Sequence, residues 1–73
     1  MSIYDAIREK RTILRDAYGG MMSLSDLSKE LGMNSAGAKA WAAEQGVGVQ
    51  IGRRVKFETD QIAKIIVQRR GAY

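Results

Sequence analysis

The sequence contains no cysteine, no histidine and no proline, and its 73 residues include only one tryptophan and one phenylalanine. Each absence removes a class of function. Without cysteine there is no disulfide framework of the kind that staples small secreted domains. Without cysteine and histidine together there is no zinc finger, thiolate nucleophile, imidazole base or soft-metal site. Carboxylates can hold a hard cation, but the eight acids are scattered along the chain. The serines have no histidine to activate them, and no Ser-x-x-Lys spacing occurs, so nucleophilic catalysis is not expected. The chain reads as a non-enzyme without a cofactor. No apolar run approaches the roughly 20 residues of a membrane span, and the N-terminus lacks a signal-peptide pattern. The expected setting is the reducing cytoplasm, with no membrane partner.

What is present is a folded-domain composition, 45% hydrophobic, with a net charge of +4. The length leaves room for one hydrophobic core, so residues 1–73 are expected to form a single domain that buries roughly 60% of its unfolded surface. The charge is uneven. Residues 1–20 carry a net +1 and residues 21–46 a net −1, whereas residues 47–73 hold six basic residues against two acidic ones. A basic stripe on one part of a small domain points to a polyanionic partner, most often nucleic acid. The plainer alternative is a solvated face that keeps the protein soluble.

Hydrophobic periodicity divides the chain into five segments. From Ser2 to Tyr18, the residues Ile3, Ile7, Leu14 and Tyr18 recur at helical spacing opposite a charged face. This predicts an amphipathic helix capped by Ser2 and ended by Gly19-Gly20. A second helix is expected from a Ser25 cap to Leu31, with Leu24, Leu27 and Leu31 on one face and Gly32 as the stop. Asn34 caps a third helix from Ser35 to Glu44 or Gln45, with Ala38, Trp41 and Ala42 buried and Gly46 at its end. Residues 47–57 alternate Val49, Ile51, Val55 and Phe57 with polar residues about Gly52-Arg53. The pattern predicts a β-hairpin with one apolar face, carrying Arg53, Arg54 and Lys56 on its tip and outer face. A last helix starts at a Thr59 or Asp60 cap and runs to about Arg70, with Arg69 and Arg70 at its negative end and Gly71 as the stop. Met21, Met22 and Met33 read as core filler.

The predicted fold is mainly α with a small β-hairpin. Residues 22–46 give two short helices joined by a glycine-containing turn, a helix-turn-helix pattern. From Met22 to about Ile66 the order of elements resembles the small winged helix-turn-helix domains of excisionases and MerR-type regulators. The resemblance rests on the run Leu24-Ser25-Asp26-Leu27-Ser28-Lys29-Glu30-Leu31-Gly32-Met33-Asn34 and on Trp41. It also rests on Val49-Gln50-Ile51-Gly52-Arg53-Arg54-Val55-Lys56-Phe57, which is similar to the family's wing, and on Thr59-Asp60-Gln61-Ile62 after it. The run Trp41, Glu44, Gln45, Gly46 also resembles the DNA-binding domain of phage terminase small subunits.

The resemblance implies a winged helix-turn-helix with an extra N-terminal helix over residues 1–18, and double-stranded DNA as the partner. The second helix of the motif would lie in the major groove through Ser35, Ala36, Lys39 and Ala40, and Asn34 would meet a phosphate. Arg53, Arg54 and Lys56 would reach the backbone or minor groove from the wing. The implied role is that of an excisionase-like recombination factor or a transcription regulator of a phage or mobile element. One departure is plain. Base readout relies on Arg, Lys, Asn or Gln, and on the helix face Ser35, Ala36, Gly37, Lys39 and Ala40 only Lys39 qualifies. The alternative is therefore a protein-interaction module on the same fold, with weak or lost DNA binding and a partner on the N-terminal helix. A homodimer, or a recombinase or polymerase partner, stays open.

Overall fold

The computed structural model describes residues 2–70, Arg70 through its backbone only. The stop expected at Gly71 and the charge placement expected of the Arg70 side chain lie outside what is described. The elements in order are α1 (Ile3–Tyr18), β1 (Met21–Met22), α2 (Leu24–Leu31), α3 (Ser35–Gln45), β2 (Val49–Ile51), β3 (Arg54–Glu58) and α4 (Thr59–Arg70). Four helices and a small antiparallel sheet thus make up the described residues. The strand order is β1-β3-β2, so the hairpin has a third, two-residue partner that periodicity did not signal. Met21 pairs with Glu58 and Met22 with Phe57. A segment of two residues is too short to show alternation.

Most element ends follow from local chemistry. The Ser2 hydroxyl accepts the Asp5 N–H at 3.2 Å, and Gly19 closes α1 with φ 81°. Asn34 caps α3, its Oδ1 accepting the Gly37 N–H at 2.7 Å. Two caps differ from expectation. Helix α2 is capped by Ser23, not Ser25. The Ser23 hydroxyl accepts the Asp26 N–H at 3.1 Å while the Asp26 carboxylate accepts the Ser23 N–H at 3.0 Å. This reciprocal box satisfies two orphan donors at once, which Ser25 does not do. Thr59 is the first residue of α4, and its side chain serves another helix. Strand β3 runs into α4 without a loop, and the buried Thr59 hydroxyl donates to the Gly19 carbonyl at 2.7 Å. Its N–H donates to Gly20 O at 3.1 Å, so the start of α4 ties down the end of α1.

The core draws on every element except β2: Leu14, Met22, Leu27, Ala38, Ala42, Phe57, Ile62, Ala63 and Ile66. Trp41 packs against it half-buried. Helix α1 lies along α4 and contributes Leu14, so its apolar face is used within this chain. Arg15 donates to both oxygens of Asp60 across these helices, at 2.6 and 2.8 Å. Two of the three expected methionine fillers are not core: Met22 is fully buried, but Met21 is 38% and Met33 42% exposed. Met21 neighbours Met22 on a strand, where successive side chains point to opposite faces.

The hairpin also departs from its expected single apolar face. Val49 pairs with Lys56, Gln50 with Val55 and Ile51 with Arg54. Directly paired residues share a face, so Val49 and Ile51 lie with Arg54 and Lys56, while Val55 lies on the Phe57 side. The two-residue turn Gly52-Arg53, with Gly52 at φ 63°, sets this register. Gathering all four apolar residues would require a one-residue slip. Gly48 enters β2 at φ 127° against the core. A Cβ there would sit 3.2 Å from Val55 Cγ1 and 3.3 Å from Phe57 Cε1, so only glycine lets the backbone approach so closely.

Candidate functional site

An open groove of about 520 Å³ runs between α3, the N-terminus of α2 and strand β3. Its apolar lining includes Leu24, Ala42, Val55 and Phe57. Its polar lining is one-signed. Lys39 comes from α3 and Arg53, Arg54 and Lys56 from the hairpin, and no acidic residue among the described ones lines it. The first turn of α2, Ser23 to Ser25, adds the positive end of a helix.

The charge pairing sharpens this asymmetry. Elsewhere four of the described cations are bonded within the chain, Lys10 to Glu30 at 2.9 Å, Arg15 to Asp60, Arg8 to Asp5 at 3.9 Å and Arg69 to the Gln45 side chain at 3.1 Å, while Arg11, Lys29 and Lys64 lie singly away from the groove. Lys39, Arg53, Arg54 and Lys56 make no side-chain hydrogen bond or ion pair among the described residues. Lys39, Arg53 and Arg54 are exposed and Lys56 is half-buried. Asp60, one of the two acids of the basic C-terminal third, is held by Arg15, whose hydrogen bond keeps its carboxyl below the usual carboxylate range. It therefore neutralises α1 rather than the groove. Lys39 and Arg53 flank the groove, and Arg54 and Lys56 border it from the face of β3 opposite Val55 and Phe57. Four unpaired cations around one groove thus create a positive potential without spending it internally.

The eight residues singled out in the sequence divide into two sets. Lys39, Arg53, Arg54 and Lys56 line or border the groove. Asn34, Ser35, Ala36 and Ala40 are exposed near the start and outer side of α3 but do not line it. Asn34 already uses its Oδ1 as a cap, leaving only its amide donor for a ligand. Sequence reasoning missed the groove's contribution from Ser23, Leu24 and Ser25. The signal was present in the Ser-x-x-Asp spacing of Ser23 and Asp26, which marks a helix start two residues before Ser25.

Among the described residues, no cluster of three or more carboxylate, imidazole or thiol side chains is placed to hold a metal ion. No described helix is long and apolar enough to cross a membrane. The chain matches no protein-family model, no curated protein and no solved structure with which it was compared.

Proposed function

We propose that this chain is a winged helix-turn-helix domain that binds double-stranded DNA. In this reading α2 and α3 form the helix-turn-helix and β2–β3 the wing. The observation that carries it is that Lys39, Arg53, Arg54 and Lys56, all unpaired among the described residues, surround a groove that no described acidic residue lines. A polyanion that passes along this groove meets cations from both walls and the helix dipole of α2. The groove lies between the helix that would enter the major groove and the hairpin that would reach the adjacent backbone or minor groove. Ser35, Ala36 and Ala40 offer base edges no charged or amide group, so phosphate neutralisation supplies most of the affinity and sequence preference is modest. The role that fits is an architectural or regulatory one, as an excisionase-like recombination factor or a small transcription regulator of a phage or mobile element.

An NMR titration with duplex DNA at low salt tests the interface. The amide shifts are expected at Ser23–Ser25, Lys39–Ala43 and Arg53–Lys56. Shifts confined to Ile3–Tyr18, or none at all, overturn the reading and leave a protein-interaction module on α1 in its place.

A further inference from the structure

The pairing of the hairpin leaves an aliphatic side chain where solvation alone gives it no role. Ile51 is 53% and Val49 44% exposed, on an edge strand of the sheet. A lone exposed isoleucine is ordinary, but the setting of Ile51 is not. It directly precedes the Gly52-Arg53 turn, lies opposite Arg54, and shares its face with Val49 and Lys56. Every charged residue between Val47 and Phe57 is a cation, and none of them is paired within the described residues.

Any surface that covers Ile51 must take an aliphatic tip between positive charges. An apolar protein face would desolvate Arg53 and Arg54 without compensation. A duplex satisfies both demands, because phosphates line the rims of its minor groove and apolar base faces lie stacked between them. Resting on the DNA reading above, we propose that Ile51 is a wedge that enters the minor groove and partly opens a base step, kinking the duplex. Arg53 and Arg54 hold the flanking phosphates, and Val49 packs behind the wedge at the groove edge. The protein on this account bends DNA, and it prefers sites with an easily unstacked pyrimidine–purine step.

The test is energy transfer across a duplex labelled at both ends, carrying a central TA step, with the 73-residue chain and two variants. Wild type and Ile51→Leu are expected to shorten the end-to-end distance, to a bend in the range of about 20–90°. Ile51→Ser changes an exposed site, so the fold is retained, which circular dichroism checks. It is expected to bind within a few-fold of wild type and to lose the bend. An Ile51→Ser variant that bends DNA as strongly as wild type overturns the wedge. Wild-type binding without bending overturns the wedge alone and leaves the DNA reading standing, whereas no binding at low salt overturns both. Binding to phosphatidylserine vesicles that depends on Ile51, with no bending of DNA, overturns the wedge in favour of an anionic membrane surface.

Discussion

The Glu30 carboxylate joins α1 to α2 by accepting from Lys10 Nζ at 2.9 Å and from the Tyr18 hydroxyl at 3.4 Å. Desolvation, and then the Glu30 charge, raise the Tyr18 pKa above the ordinary tyrosine value. The protonated phenol is therefore favoured in the folded state. Its contribution to stability is fully present below the unfolded tyrosine pKa of about 10 and is lost as pH rises through the higher folded value. Denaturant unfolding at a series of alkaline pH values should show wild-type stability falling more steeply above about pH 10 than that of Tyr18→Phe. Equal slopes would remove Tyr18 from the account. Neither this link nor the Thr59 hydroxyl bond to Gly19 was legible in the sequence. Both join residues 12 or more apart, and no local pattern records which distant partner a polar side chain finds.

Elements were legible where one local rule acted alone and were misread where two rules competed. Gly19, Gly32 and Gly46 end α1, α2 and α3 as expected, because a helix stop is a local φ requirement. Two serines competed for the start of α2, and the reciprocal bond between Ser23 and Asp26 decides in favour of the first. Ser23→Ala should cost about 1 kcal/mol in chemical denaturation. Ser25→Ala, on an exposed position without a cap bond, should stay within about 0.5 kcal/mol of wild type. Equal losses would contradict the assignment. The hairpin was read correctly as an element and wrongly as a surface. Alternation within each strand was visible, but the face that the two strands share depends on the register. The short Gly52-Arg53 turn sets that register, with Ile51 across from Arg54. The exposed Val49 and Ile51 follow from that single shift.

Over the whole molecule, the charge excess after residue 46 was plain from the sequence, and so was its densest part on the hairpin. Two things were not visible. Lys39 lies 14 residues before Arg53, yet both line one groove. Three of the four N-terminal cations, Arg8, Lys10 and Arg15, are also bonded within the fold through Asp5, Glu30 and Asp60, which leaves the groove and its hairpin wall as the densest group of unpaired cations among the described residues. The account therefore centres on phosphate neutralisation by the hairpin rather than base reading by α3. Each phosphate contact contributes about 0.9 to the slope of log affinity against log salt. The most direct measurement is a salt titration of duplex binding by wild type and by the Arg53→Ala, Arg54→Ala double variant, followed by fluorescence anisotropy. The account predicts weaker binding by the variant and a slope reduced in magnitude by about 2. A variant with an unchanged slope would contradict it.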